Sequence, residues 1–316
     1  MKVILFAIVL GVSSPLFGQA AKRTIAITID DLPVESTRRD LKTRQEITKK
    51  LLANIQKEQI PAIGFVNEYK LYDGDKRDEK QVDLLRMWLD AGLELGNHTF
   101  SHRSLHSIPL KEYEADLLKG EMITKELLAA KGRQMRFFRH PYLQTGLTME
   151  IKSEFDAFLK LHNYTIAPIT FDDADYIFSR AYDNAFDKGD TKLMKQVGDA
   201  YLPYMEKRLE YWERQSMKTF GREISQTLLI HANFINSDYL GDLAMMFKKR
   251  GYKLVSLEEA LKDKAYRLPD KFTGGGGVSW LYRWTLDNGR ENILPDEPKV
   301  PKFVLKLGGF PEDEET

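Results

Sequence analysis

Short apolar runs followed by stretches of helical period recur about seven times along this chain of 316 residues, and no other feature restricts its fold as strongly. The runs are "TIAITI" from Thr24, "PAIGFV" from Pro61, "LELGN" from Leu93, "MRFFR" from Met135, "YTIAPITF" from Tyr164, "QTLLIHAN" from Gln226 and "KLVSL" from Lys253. Pro168 weakens the fifth as a strand, because proline donates no ladder hydrogen bond. Between them, apolar residues return at helical spacing: Ile47, Leu51, Leu52 and Ile55 within 41–59, and Val82, Leu85 and Leu89 within 79–91, closed by Gly92. Single long helices are predicted over 110–130 and 147–162, and another over 238–250. Strands alternating with helices imply parallel β/α units, so the fold class is α/β. About seven repetitions without a linker point to a distorted (β/α) barrel of about seven strands; the doubly wound open sheet is the main alternative.

Two regions fall outside this rhythm. Residues 177–226 are long and heavily charged, with Val197, Tyr201, Met205, Leu209 and Trp212 as an inner stripe, and predict a helical insertion. From Lys264 onward the chain has glycine, proline and aromatics with little periodicity, which predicts a C-terminal extension (264–316) that is either flexible or a flap over the site. Its "TGGGG" lacks the Lys-Ser/Thr of a phosphate loop, which excludes a nucleotide reading.

The first 20 residues carry a basic Lys2, an apolar run from Val3 to Val12 and small residues at Gly18 and Ala20. That is a secretory signal pattern with cleavage expected after Ala20, so the protein is expected to be exported, either periplasmic or secreted. The apolar run is too short to span a membrane, so no stable span is expected after cleavage. Basic and acidic residues balance at 47 each, which gives no global field toward nucleic acid. The absence of cysteine excludes disulfides, thiolate catalysis and cysteine zinc ligands.

Polar residues cluster at the strand ends. Asp30 and Asp31 end the first strand, and His98 and His102 follow the third at a spacing of four that suits one metal ion. Arg139, Pro141 and Tyr142 follow the fourth, Asp172, Asp173, Asp175 and Tyr176 the fifth, and His231 ends "QTLLIH". In a parallel barrel all these ends lie on one face, where such enzymes place their sites.

In these motifs the sequence resembles the polysaccharide deacetylase family, the NodB homology domain of carbohydrate esterase family 4. The family's five ordered motifs correspond to Thr28-Ile29-Asp30-Asp31, His98-Thr99-Phe100-Ser101-His102, Arg139-His140-Pro141-Tyr142, Asp172-Asp173-Ala174-Asp175-Tyr176 and Leu229-Ile230-His231. The likeness runs from about Arg23 to Leu261 and implies a NodB-type domain over 21–263. It implies a divalent metal, usually zinc, with cobalt, manganese or nickel as other candidates, held by Asp31, His98 and His102 with a position left open for water. It further implies Asp30 as base, Arg139 paired with Asp30, His231 as acid with Asp175 fixing its tautomer, and an oxyanion donor in the backbone near Tyr142. Pro141, Tyr142 and Tyr176 would contact substrate. Asp172 and Asp173 remain alternatives to Asp175.

Ile29 replaces the family's usual Phe, Leu32-Pro33 the common Gly, and Tyr176 the usual Trp. These departures bear on substrate choice more than on reaction type. The implied activity is hydrolysis of N-acetyl or O-acetyl groups on an exported glycan. Hydrolysis of a small non-sugar amide, or catalytically silent glycan binding, are the competing functions. The sugar and the oligomeric state are left open.

Overall fold

The computed structural model describes residues 23–38 and 40–312. The signal pattern of residues 1–20 lies outside the described residues.

The first β/α unit is β1 (Thr24–Leu32) and α1 (Leu41–Glu58), and the next begins with β2 (Ile63–Val66). A 3-10 turn at Glu68–Leu71 leads into a small hairpin, β3 (Tyr72–Asp73) and β4 (Lys76–Arg77), and then α2 (Glu79–Asp90). There follow β5 (Glu94–Asn97), α3 (Leu110–Lys119), α4 (Met122–Ala129), β6 (Phe137–Phe138), α5 (Met149–Leu161) and β7 (Thr165–Ile166). Two helices, α6 (Asp175–Asp187) and α7 (Thr191–Phe220), precede β8 (Gln226–His231), α8 (Phe234–Lys249), β9 (Lys253–Leu254) and α9 (Leu257–Ala260). The chain ends in α10 (Trp280–Leu286) and α11 (Lys302–Gly308).

The main sheet has seven strands, in the order β7-β6-β5-β2-β1-β8 with β9 also on β1, and every pairing in it is parallel. Five residues beyond β7, Phe171 bridges Leu228 of β8, so the segment after β7 reaches round to the other end of the strand order, as in a distorted barrel rather than a doubly wound sheet. The strand predicted over 164–171 is thus two short pairings, one on each side of Pro168. The helices carry the expected buried faces. In α1 these are Ile47, Leu51, Leu52 and Ile55, behind an N-cap at Asp40 whose carboxylate accepts the Thr43 N–H. The predicted stripe of α7, from Val197 to Trp212, is buried throughout. Helix α8 starts four residues earlier than the predicted 238, because Asn233 caps it by accepting the Asn236 N–H.

The single helix expected over 110–130 is two helices, broken around Gly120. The cause lies in tertiary packing. A Cβ at Gly120 would stand 2.3 Å from Phe100 N and 2.3 Å from Thr99 C, so the backbone between the two motif histidines rests directly on this glycine. Gly120→Ala is expected to cost about 1–3 kcal/mol through overpacking. Thermal unfolding checks this, with a lowered Tm as the expected outcome and an unchanged Tm against it.

Candidate active site

A β-bulge resolves the puzzle of two adjacent carboxylates at the end of β1. Along β1, Ile29 pairs with Gly64 but Leu32 pairs with Val66, so β1 carries one extra residue between those points. Bulges re-aim side chains at active sites. Here Asp31 takes φ 67, and the alternation that would send it to the opposite side from Asp30 is broken. Both carboxylates therefore face the same imidazole. Asp30 Oδ2 lies 3.8 Å and Asp31 Oδ1 3.7 Å from His98 Nε2.

His98, just past β5, is buried, and its Nδ1 lies 2.7 Å from the Arg139 carbonyl oxygen. A carbonyl only accepts, so Nδ1 carries the proton and Nε2 presents a bare lone pair. Burial first, then His102, holds His98 well below the ordinary histidine range and hence neutral. His102 Nε2 stands 3.5 Å from Asp31 Oδ1, and burial likewise lowers its pKa. Burial alone would raise Asp31, but Lys70, His102 and His98 outweigh it and keep the carboxylate ionised. Lys70 had no motif to mark it. It follows β2 in the 3-10 turn, donates to the Asp31 carbonyl at 2.9 Å and stands 3.7 Å from its carboxylate.

Ligand atoms of Asp31, His98 and His102 lie within 4.8 Å of one another. Asp31 Oδ1 is buried and has no hydrogen-bond partner among the described residues. An orphaned anionic oxygen facing two neutral imidazole nitrogens is a donor set that fits a divalent cation.

Asp30 is buried beside this group and is held differently. Arg139 Nη1 donates to its Oδ2 at 3.2 Å, while Nη2 donates to Thr28 Oγ1 at 2.8 Å. Thr28 in turn donates to the Leu228 carbonyl at 2.7 Å, which ties motif residues of β1 to β8. Burial pushes Asp30 up to about 6 although Arg139 and His231 oppose it. Burial also lowers Arg139, although Asp30 opposes it. Asp30 Oδ1 is left without a hydrogen-bond partner among the described residues.

On the other side of β1, His231 Nδ1 lies 2.7 Å from Asp175 Oδ1. Asp175 Oδ2 accepts from the His231 N–H at 2.8 Å, Asn233 Nδ2 at 3.0 Å and Asn236 Nδ2 at 2.7 Å. Burial opposes protonation of His231, but Asp175 outweighs it, aided by Asp31 and Asp30, and raises its pKa well above the usual value. Of the three neighbouring aspartates, Asp175 is the one against His231. Asp173 Oδ1 accepts the Asp175 N–H at 2.7 Å, and the Asp172 carbonyl accepts from Arg208 and from Trp212 Nε1.

These groups meet in a cleft of about 590 Å³ whose lining includes Asp30, Asp31, His98, His102, Tyr142 and His231. Tyr176 lines it too and is 41% exposed, whereas Pro141 is buried in the turn behind Tyr142. The Tyr142 ring meets His102 edge-on at 4.5 Å. Glu35 and Gly277 also line the cleft, and no motif pointed to either. Glu35 comes in because its N–H reaches the Ala232 carbonyl at 2.8 Å, folding the loop after β1 onto the end of β8.

Residues 17–156, which carry the first three motifs, match the family model for polysaccharide deacetylase. That span is less than half of the chain, and over it the chain is similar to the polysaccharide deacetylase family. Over 125 residues the chain is 29% identical to a peptidoglycan-N-acetylglucosamine deacetylase of Bacillus cereus, covering 40% of this chain and 38% of that relative's length. Its fold is similar to that of a mutant CE4-family pseudoenzyme of Bacillus anthracis, with a TM-score of 0.51 at 17% identity over 76% of this chain and 68% of that one. A peptidoglycan deacetylase of Bacillus subtilis aligns with a TM-score of 0.48 at 21% identity, over 77% of this chain and 93% of that one.

Proposed function

We propose that this protein is a metal-dependent hydrolase of the polysaccharide deacetylase family that removes acetyl groups from an acetylated glycan outside the cytoplasm. One observation carries the reading: a cation-ready Asp31–His98–His102 set, a carboxylate oxygen free of partners and a carboxylate-oriented histidine all serve one cleft. The extracytoplasmic assignment is supported by the signal pattern of residues 1–20 and by the B. cereus relative's peptidoglycan substrate. No helix among the described residues is long and apolar enough to cross a membrane. The unit doing this work is proposed to be the NodB-type domain over 21–263, with the helical insertion and the C-terminal extension built onto it.

A divalent ion held by Asp31, His98 and His102, with zinc the first candidate, supplies Lewis acidity that lowers the pKa of water and polarises an acyl oxygen. The remaining work falls to side chains and backbone. Asp30 Oδ1 takes the proton of the attacking water, while Arg139 holds Oδ2 and fixes the orientation. The backbone N–H of Tyr142 donates to the oxygen on which charge develops. His231 gives the proton on its Nε2 to the departing nitrogen or oxygen. Its Nδ1–H stays on Asp175 Oδ1, which holds the ring and favours the charged form. Tyr142 and Tyr176 flank the entrance and offer ring faces and hydroxyls to a sugar.

His231 must be protonated to act, and Asp175 raises its pKa. Removing that negative charge lowers the pKa, so Asp175→Asn is expected to move the alkaline limb of the pH–rate profile to lower pH. A profile whose alkaline limb stays in place contradicts the assignment.

The function itself is tested by acetate release from chitin oligomers, peptidoglycan fragments, acetyl-xylan and small ring amides. Release from one or more glycans supports the reading. Turnover of the ring amides alone replaces it with small-amide hydrolysis, and glycan binding without any release replaces it with a silent binding protein.

A further inference from the structure

We propose that residues 270–284 form the outer wall of the active-site cleft, with Gly277 and Arg283 as positioning residues for the Tyr142–Leu143 turn. The catalytic part of this inference rests on the deacetylase reading, which gives the Tyr142 N–H its role.

The turn needs to be held. Tyr142 takes φ 55 and ψ 16, and Leu143 takes φ 54, so two successive side-chain-bearing residues lie in the left-handed region. Such residues cost about 1–3 kcal/mol each and persist where the surroundings over-determine them. Here the surroundings come from the C-terminal segment. Arg283 is buried, and its Nη2 donates to the Leu143 carbonyl. Its Nη1 donates to Thr145 Oγ1 at 3.0 Å and to Asp270 Oδ2 at 2.7 Å, and its Nε donates to the Val278 carbonyl at 3.0 Å. Lys152 meets the same Thr145 hydroxyl at 2.7 Å and the same Asp270 oxygen at 2.5 Å. Asp270 thus joins two cations, one from the extension and one from α5, around the end of the turn.

Backbone packing completes the clasp. A Cβ on Gly277 would stand 1.8 Å from the Tyr142 carbonyl oxygen, so the two main chains touch where only glycine fits. Two residues on from Tyr142, Gln144 Nε2 donates to the Gly275 carbonyl at 3.1 Å. The segment is itself anchored to the barrel. Trp280 N–H donates to the Ile169 carbonyl at 2.8 Å, and Ser279 Oγ donates to the Thr170 carbonyl at 3.0 Å. The Arg283 guanidinium lies 3.8 Å from the centre of the Trp280 ring. Trp280 and Trp284 are buried, so they pack the wall against the barrel and leave no ring face for a sugar.

A donor that acts on developing charge affects the transition state and leaves ground-state binding alone. Shifting this turn therefore lowers kcat and kcat/KM together. Gly277 is exposed, so Gly277→Ala tests the idea without threatening the core. Arg283→Met and Arg283→Lys form a second pair. In Gly277→Ala and Arg283→Met, amide hydrogens of residues 142–146 are expected to exchange about tenfold faster or more. Their kcat should fall by about 10²-fold, the scale of a lost oxyanion donor, with KM and metal affinity unchanged. Arg283→Lys should recover part of both effects. Unchanged exchange at 142–146 in Gly277→Ala overturns the proposal, as does faster exchange with full kcat or a lowered Tm with both readouts intact. If the wild-type protein releases no acetate from any substrate, the deacetylase reading fails, and the exchange measurement alone decides whether the wall exists.

Discussion

Asp30→Asn is expected to reduce acetate release by roughly 10²–10⁴-fold, the usual contribution of a positioned general base, while leaving the metal content of the protein unchanged. The amide keeps the shape of the side chain and an oxygen for Arg139, but its other end cannot take a proton. Asp30 is fully enclosed, and burial already opposes its ionised form. A neutral group at this position also leaves the buried Arg139 guanidinium without its counter-charge, so the Tm should fall. Steady-state kinetics, metal analysis and a melting curve on one preparation check all three parts. Loss of metal along with activity would place Asp30 among the ligands.

Asp31→Ala should behave in the opposite way, losing the metal first and the activity as a consequence. Removing a ligand's outer hydrogen-bond partner typically costs 10–100-fold in metal affinity, and loss of this ligand should exceed about 10²-fold. Two features enlarge the effect. Asp31 supplies the negative charge of the three-residue set, and Lys70 stands 3.7 Å from its carboxylate. Without that carboxylate, the ammonium faces the incoming cation unopposed. Calorimetric titration of the stripped variant with zinc reads the affinity directly. Wild-type affinity in Asp31→Ala would remove it from the metal set.

The contrast between these neighbours shows what could be read in the chain before its structure. Strand ends announced themselves through apolar runs that stop at charged residues, and five such ends in a parallel barrel had to share a face. Asp30, Asp31, His98, His102, Arg139, Asp175 and His231 could all be named on that basis together with the family resemblance. The division of labour proposed for them rests on geometry. Without a bulge, adjacent residues on β1 would point to opposite sides, and a bulge leaves no mark in hydrophobic periodicity. Gly120 sits in an unbroken helical pattern, and only the approach of Thr99 and Phe100 explains the break. Lys70 and Gly277 reach the site through contacts distant in sequence, where spacing carries no signal. The choice of Asp175 over Asp172 and Asp173 depended on which carboxylate met the His231 ring, and Asn233 and Asn236 close around that same one.

The most direct measurement is acetate release from an acetylated glycan by the chelator-stripped protein, before and after zinc is restored. The account predicts negligible release from the stripped protein, recovery on reloading, and no recovery in Asp30→Asn despite a full complement of metal. Equal release with and without metal, or full turnover by reloaded Asp30→Asn, would contradict it.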